Sequence, residues 1–303
     1  MKQHIPRSNL SVAKIKGIEI AYETFGNPSA SPLLLIMGLG NQMVFWDEEF
    51  CRQLAVRGYW VIRFDNRDCG ISTWLDDAGV PDISAMKQLI AQRKTAPAPY
   101  SLRDMADDAV GLLSVLKIDS AHIVGRSMGG MIGQMMAIQH PERIKTLTSM
   151  MSSTGDRGLP PPKPDVLSIL LEPEPTDRER FVDHSVRVFK VLSGSGLQLD
   201  EIRVREWSHE SYNRGLNPEG IARQFAAIIS SGSRKEALKS VTVPTLVIHG
   251  DADPLVPVEC GIDTANTIPG ARLIIIKGLG HTLAHAAYPQ IIDAIARHAT
   301  YSG

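Results

Sequence analysis

Six short segments of almost uninterrupted apolar residues are spread along this chain of 303 residues, and they constrain its fold more than any other feature. None is longer than a β-strand, and all fall far short of the roughly 18 apolar residues that a membrane-spanning helix needs. A strand that is apolar on both faces is typical of a parallel sheet with helices packed on each side. The six segments cover residues 33–37, 59–64, 121–124, 147–151, 245–248 and 273–276.

Segments with helical spacing lie between these apolar runs. Apolar residues recur at intervals of three and four across 102–116, behind Ser101 as a predicted N-cap. Two further strands, on either side of Lys16 and Gly17, are expected to form an antiparallel hairpin at the sheet edge. This alternation predicts an α/β fold with a mostly parallel, doubly wound sheet. Other helices are predicted over 47–57, 128–140 and 289–299.

One segment interrupts the alternation. Six prolines fall within residues 155–176, which we interpret as a stiff linker. Three helical patterns follow, and no strand-like run appears before residue 243. The sequence therefore predicts a core made of residues 1–154 and 239–303, with residues 155–238 inserted as a helical cap, or lid. The three helical patterns cover residues 177–192, 201–212 and 220–229.

The charge balance and the cysteine content exclude several classes of protein. Lys and Arg number 32 and Asp and Glu 33, so the net charge of −1 provides no basic surface for nucleic acid. The first ten residues lack the apolar core of a signal peptide. Cys51, Cys69 and Cys260 have neither the even number of a disulfide framework nor the spacing of a zinc site. We expect a cytoplasmic protein without membrane insertion, and the oligomeric state is unknown from sequence.

The motif with the most chemical content is Gly-Arg-Ser-Met-Gly-Gly at residues 125–130. It follows a predicted strand and opens a predicted helix, which is the context that gives G-x-S-x-G its meaning as a nucleophile turn. Ser127 is then placed at a helix N-terminus, whose amide groups and dipole favour developing negative charge. Ser127 is therefore the candidate nucleophile.

A serine hydroxyl needs a base to remove its proton and a carboxylate to orient that base. The segment 249–254 follows one predicted strand and carries Asp251 and Asp253, and the segment 278–281 follows the next and ends in His281. Because the carboxyl ends of parallel strands share one edge of the sheet, we expect these side chains and Ser127 to meet there.

Five motifs in this order resemble those of the α/β-hydrolases with an inserted helical lid. Within that family the chain is most similar to the esterase and haloperoxidase-like group that includes aclacinomycin methylesterase. The resemblance covers almost the whole chain outside the predicted cap. Beside the serine motif it rests on residues 34–40 (LLIMGLG), 63–72 (RFDNRDCGIS), 244–257 (PTLVIHGDADPLVP) and 278–281 (GLGH).

The resemblance implies a role for each matching residue. Ser127 is the nucleophile, Asp253 the orienting carboxylate and His281 the base, while the backbone amides of Leu39 and Met128 form the oxyanion hole. It implies a carboxylesterase that works through an acyl-enzyme on small to medium hydrophobic esters, methyl esters among them. No cofactor is implied.

The acid and the base each have a rival. Asp251 is the other candidate acid, although an aspartate in this position suits a turn, because Asp readily caps its own backbone. His285 is the other candidate base, and the spacing of His281 and His285 also occurs in metal sites. No third ligand accompanies that pair, so we predict no metal.

The loop that begins at residue 37 departs from the usual family pattern. Many relatives have His-Gly where residues 37–38 of this chain are Met-Gly. Because backbone amides form an oxyanion hole, this change does not predict lost catalysis. A dinucleotide fingerprint here would need glycine where the chain has Met43, so we exclude a nicotinamide site.

Asp65, Arg67 and Gly70 match a motif that we interpret as a structural ion pair bracing a turn.

The predicted cap supplies apolar and aromatic candidates for the wall of a substrate pocket, which favours a hydrophobic acyl or ring-bearing substrate. Other activities stay open on the same residues: carbon–carbon-bond hydrolysis, cofactor-free haloperoxidase or perhydrolase chemistry, and ligand binding with little turnover. The candidate wall residues are Leu167, Ile169, Leu170, Leu171, Phe181, Val188, Phe189, Trp207, Tyr212 and Phe225.

Overall fold

The computed structural model describes residues 5–92, 94, 96–170, 172 and 174–301. In this part of the chain eight strands form one sheet, in the order β1-β2-β4-β3-β5-β6-β7-β8. The strands are β1 (Ser11–Ile15), β2 (Ile18–Phe25), β3 (Ser31–Ile36), β4 (Tyr59–Phe64), β5 (Ala121–Arg126), β6 (Ile144–Met150), β7 (Thr245–Gly250) and β8 (Arg272–Ile276).

The direction of the strands confirms the predicted fold class. β1 and β2 form an antiparallel hairpin, and β2 pairs antiparallel with β4. Every other pair, from β4 through to β8, is parallel. Each of the six apolar runs lies in one of the parallel strands, so their carboxyl ends meet at one edge of the sheet.

Helices cover both faces of the sheet and bury its apolar side chains in two clusters. The helices at Glu48–Val56 and Tyr288–Tyr301 pack on one face, where Phe50 and Ile291 are fully buried. The third and fourth pack on the other, where Leu112 and Ile132 are fully buried. The core helices are α1 (Glu48–Val56), α2 (Ile83–Ala91), α3 (Leu102–Val115), α4 (Met128–Gln139), α10 (Val258–Thr267) and α11 (Tyr288–Tyr301).

Among the described residues, five more helices lie between β6 and β7, in the segment that we predicted as a cap. One of them, Pro164–Leu170, overturns the prediction that residues 155–176 are a stiff linker throughout. Proline is accepted in the first turn of a helix, where its missing N–H has no partner to lose, so Pro164 begins this helix instead of preventing it. The five are α5 (Pro164–Leu170), α6 (Arg178–Ser193), α7 (Glu201–Arg214), α8 (Pro218–Ser231) and α9 (Lys235–Leu238).

Two arginines of these helices form ion pairs with the segment that follows β4. Arg214, the last residue of α7, pairs with the fully buried Asp65. In the second pair, Arg223 of α8 donates to both carboxylate oxygens of Asp68 at 2.8 and 2.9 Å, and both side chains are completely buried. A bidentate pair of this kind is strong and geometrically specific. Arg223 and Asp68 therefore fix α8 over this edge of the sheet.

We expect the Arg223→Met variant to lose about 3–5 kcal/mol in its free energy of unfolding, because it leaves the Asp68 charge buried without its partner. Urea unfolding followed by circular dichroism measures this loss. The exposed pair Lys239–Glu236 supplies the control, since Lys239→Ala should cost less than about 1 kcal/mol. Equal losses in the two variants would contradict a stabilising role of the Arg223–Asp68 pair.

No helix in the described part of the chain combines the length and the apolar character that crossing a membrane requires.

Candidate active site

Ser127 lies on a sharp turn between the end of β5 and the start of α4. Its backbone has φ 57° and ψ −120°, a conformation that L-residues rarely adopt. The turn also presses α4 against β3: a Cβ on Gly129 would lie 2.0 Å from the carbonyl oxygen of Ile36. Only glycine fits there, so the spacing of the motif follows from the close approach of helix and strand.

Hydrogen bonds on both sides hold this strained turn. The Ser127 N–H donates to the carbonyl oxygen of Met150 at 2.8 Å. The Ser152 hydroxyl donates to the carbonyl oxygen of Ser127 at 2.9 Å. Met150 is the last residue of β6, the neighbouring strand, and Ser152 follows it by two residues, so this strand and the loop after it maintain the unfavourable φ that presents the Ser127 side chain.

The structure brings Ser127, His281 and Asp253 into contact. His281 Nε2 lies 3.1 Å from Ser127 Oγ, and His281 Nδ1 lies 2.7 Å from Asp253 Oδ2. The other carboxylate oxygen of Asp253 accepts the N–H groups of Leu255 and Val256 at 2.9 and 2.8 Å. His281 and Asp253 are almost fully buried. This geometry allows His281 to take the Ser127 proton while Asp253 orients the ring.

The rival residues lie elsewhere. Asp251 is exposed, and its carboxylate accepts the Gly278 N–H at 2.6 Å, bracing the turns after β7 and β8. His285 is exposed as well, and its ring packs against Tyr288 with 4.9 Å between centroids. Within the described residues, no group of three or more His, Cys, Asp or Glu side chains is arranged to hold a metal ion.

His249, which was not a candidate site residue in the sequence, supports the acid. Its ring Nε2 lies 2.8 Å from the carbonyl oxygen of Val256 and 3.6 Å from Asp253 Oδ2, so Nε2 carries a proton. Burial lowers the pKa of His249, and its Nδ1 has no hydrogen-bond partner among the described residues. A neutral ring thus packs behind the Asp253 turn. His249 lies within the motif at residues 244–257, but nothing in that motif indicated this role.

The amides of Leu39 and Met128 make no hydrogen bond within the described part of the chain, so no acceptor of the protein there occupies either donor. The Leu39 loop is anchored by two side chains that the sequence did not single out. The Asn66 side chain donates to the carbonyl oxygen of Met37 at 3.1 Å, and the Gln224 side chain accepts the Gly40 N–H at 2.8 Å. These two bonds anchor the loop with Met at residue 37.

The segment 65–70 forms ion pairs, as its interpretation as a turn brace requires. Arg67 donates to both oxygens of Asp108 on α3, at 2.6 and 2.7 Å. Asp65, besides its pair with Arg214, accepts the Met43 N–H at 2.7 Å. A Cβ on Gly70 would lie 2.4 Å from that carboxylate.

A cavity beside the His281 loop lies between the sheet edge and α6–α7. The ring of Phe45 stacks on Phe189 at 5.4 Å and meets the edge of Trp207 at 6.0 Å, and all three rings line the cavity. Phe181 lines a second cavity, beside Gly40. Phe225 instead lies under the Lys87 ammonium group. Leu171 and the side chain of Leu167 are outside the described residues.

Burial makes the three thiols poor nucleophiles. It raises the pKa of Cys51 to about 12 and that of Cys260 to about 11, and it raises the pKa of Cys69 well above its usual value. Because the reactive form is the thiolate, no cysteine competes with Ser127 at neutral pH.

The known proteins that this chain resembles are hydrolases. The family described as alpha/beta hydrolase fold matches residues 31–285. The rhodomycin D methylesterase of Streptomyces peucetius is 32% identical over 298 residues, which cover 91% of this chain and 93% of that protein. A solved meta-cleavage product hydrolase from Pseudomonas fluorescens IP01 superposes with a TM-score of 0.74 at 18% identity, covering 97% of this chain and 98% of the other. An esterase from Rhodococcus sp. ECU1013 gives 0.73 at 19%, covering 97% and 99%.

Proposed function

Because this chain belongs to the alpha/beta hydrolase fold family and is an ester-cleaving hydrolase, we propose that it hydrolyses hydrophobic carboxylic esters through Ser127, His281 and Asp253. The family match and the methylesterase relative confirm the resemblance that the sequence motifs indicated. The observation that supports the catalytic assignment is the unbroken series of contacts from Asp253 through the His281 ring to Ser127 Oγ.

The first half of the proposed reaction forms an acyl-enzyme. His281 Nε2 accepts the proton of Ser127 as Oγ attacks the ester carbonyl carbon, and the Leu39 and Met128 amides donate to the oxyanion that develops. Collapse of this intermediate breaks the bond from carbon to the alcohol oxygen. His281 returns its proton to that oxygen, and the alcohol leaves.

The second half releases the acid by the same groups. A water molecule gives its proton to His281 Nε2 and attacks the acyl carbon, and the same two amides again stabilise the oxyanion. The bond to Ser127 Oγ breaks, and Oγ regains its proton from His281. The products are one alcohol and one carboxylic acid for each ester and water consumed.

A methyl ester of a ring-bearing molecule is the substrate class that we propose within this reaction. The rhodomycin D methylesterase, at 32% identity, acts on a methyl ester by its name. The rings of Phe45, Phe189 and Trp207 place apolar surface beside the His281 loop, which supports a hydrophobic substrate, although the cavity that they line, about 20 Å³, has room for little more than one water molecule. We propose that residues 155–238 act as a cap on the core of residues 1–154 and 239–303, and so select the substrate.

A panel of esters in which the acyl and alcohol groups vary independently tests this proposal. We expect methyl esters of aromatic and polycyclic acids to have higher kcat/KM than methyl acetate, and enlarging the alcohol beyond methyl to lower it. A fluorophosphonate should label one site per chain, and peptide mass spectrometry should place the label on Ser127.

Two results would count against the proposal. Labelling of Ser127 without turnover of any ester would favour ligand binding on the same fold. Faster cleavage of 2-hydroxy-6-oxo-6-phenylhexa-2,4-dienoate, the compound named for another structurally similar hydrolase, than of every ester would favour the carbon–carbon-bond hydrolase.

A further inference from the structure

Arg126 is a buried cation in direct contact with the histidine loop. It is the last residue of β5 and precedes Ser127, and 4% of its surface is exposed. Its Nη2 donates to the backbone carbonyl oxygen of His281 at 2.9 Å, across 155 positions of sequence. One side chain therefore links the turn of the nucleophile to the backbone of the base.

The charge of Arg126 has no acidic partner within ion-pair distance among the described residues. Burial lowers its pKa to about 10, while the negative charge of Asp253 and the Tyr288 hydroxyl oppose that shift, so the guanidinium stays charged at neutral pH. Burying an unpaired cation is costly unless its hydrogen bonds compensate. A charge-assisted bond to a carbonyl is roughly twice as strong as a neutral one, and here it is directed at His281.

The opposite side of the His281 backbone is held by the helices between β6 and β7. The His281 N–H donates to the carbonyl oxygen of Leu192, in the last turn of α6, at 2.7 Å. A Cβ on Gly280 would lie 2.2 Å from the carbonyl oxygen of Ser193, so the loop packs backbone against backbone. The N–H and the carbonyl of His281 thus have separate anchors, and Arg126 is the one that belongs to the nucleophile turn.

We propose that Arg126 is a positioning residue for the reaction, holding the carbonyl of His281 so that Nε2 stays within hydrogen-bond distance of Ser127 Oγ. This inference rests on the proposed roles of Ser127 and His281. Because Arg126 is covalently adjacent to Ser127, any movement of the turn that carries Ser127 also moves the guanidinium that holds the His281 backbone. The separation of base and nucleophile is then preserved although they are far apart in sequence.

Arg126 also borders the cavity lined by Phe45, Phe189 and Trp207, so an alternative role is to bind a negatively charged group of a ligand. The two roles predict different kinetics. A positioning residue affects kcat for a neutral ester, because the chemistry slows once substrate is bound. A binding residue affects KM, and only for substrates that carry the negative charge.

Steady-state kinetics of the Arg126→Met and Arg126→Lys variants on p-nitrophenyl butyrate, a neutral ester, tests the proposal. We expect Arg126→Met to lose about 10²-fold in kcat with little change in KM, the size of effect that a misplacement near 1 Å produces. The rate of fluorophosphonate labelling should fall by a similar factor. Arg126→Lys, which keeps a cationic donor, should recover part of both rates.

Arg234 provides the matched control. It is equally buried, burial also lowers its pKa to about 10, and its partners are Gln134 and two backbone carbonyls away from the histidine loop. Arg234→Met should lose stability while kcat stays close to that of the wild type. Rates are expressed per fluorophosphonate-reactive site, so a partly unfolded sample does not imitate a catalytic loss.

Ser127→Ala, measured beside these variants, separates the two levels of inference. Full activity of Ser127→Ala would overturn the proposed function itself. An inactive Ser127→Ala together with unchanged kcat in Arg126→Met would overturn only the positioning role. A raised KM for anionic esters alone would assign Arg126 to ligand binding, and a loss in Arg234→Met as large as in Arg126→Met would reduce its effect to general stability.

Discussion

Ser127→Ala is expected to lower kcat for ester hydrolysis by about 10⁶-fold, the loss that follows removal of the nucleophile from a triad. His281→Ala should lose a similar amount, because without Nε2 to accept the proton the Ser127 hydroxyl remains a weak nucleophile. The double variant should lose no more than either single one, since the two residues act as a unit. Steady-state hydrolysis of p-nitrophenyl butyrate, assayed with milligram amounts of each variant so that slow turnover is detected, measures the residual rates.

His285→Ala is the control for this pair. The His285 ring is exposed and contacts Tyr288, so its removal should leave kcat close to that of the wild type. Thermal unfolding should show that Ser127→Ala keeps its fold, because only a hydroxyl contacting His281 is lost. Losses in the two single variants that multiply in the double variant would mean that Ser127 and His281 work independently.

Asp253→Asn is expected to lower kcat by about 10⁴-fold, although it is nearly isosteric. The N–H groups of Leu255 and Val256 require an acceptor at the inner oxygen of residue 253, so the new amide must turn its NH₂ group towards His281. Nδ1 of His281 then has to accept, and the ring proton moves to Nε2. A ring protonated at Nε2 cannot take the proton of Ser127, so the base is lost while the packing is retained.

Asp251→Asn is the matched control, because the same chemical change is made two residues away. Asp251 is exposed and accepts only the Gly278 N–H among the described residues, a bond that an amide oxygen also makes. Its kcat should remain close to that of the wild type. If Asp251→Asn lost more activity than Asp253→Asn, the acid assignment would be reversed, and kcat/KM for both variants on one ester decides between them.

Local sequence carried most of the prediction of the sheet. Six apolar runs became the six parallel strands, because a strand buried on both faces has to be apolar throughout. The turn carrying Ser127 was visible for a similar reason, since the approach of α4 to β3 excludes any side chain at Gly129. Helix α5 was missed, because the density of prolines outweighed the acceptable first-turn position of Pro164.

The interactions that hold the site together left no such trace. Arg126 and His281 are 155 positions apart, and Gln224 reaches Gly40 across 184. An arginine or glutamine with such a role looks in sequence like any polar residue at a strand end or on a helix. Only the path of the chain decides whether it is exposed to solvent or buried against a backbone carbonyl.

The sequence by itself determined the α/β architecture and which few residues are chemically suited to act, because strand periodicity, tight turns and the order of serine, acid and histidine are local properties. The tertiary structure decided which of them meet. It placed Asp253, and not Asp251, against His281, and His281, and not His285, against Ser127. The reason is geometric: the distances between these side chains depend on the register of the parallel strands and on the helices packed across their ends, which no local pattern specifies.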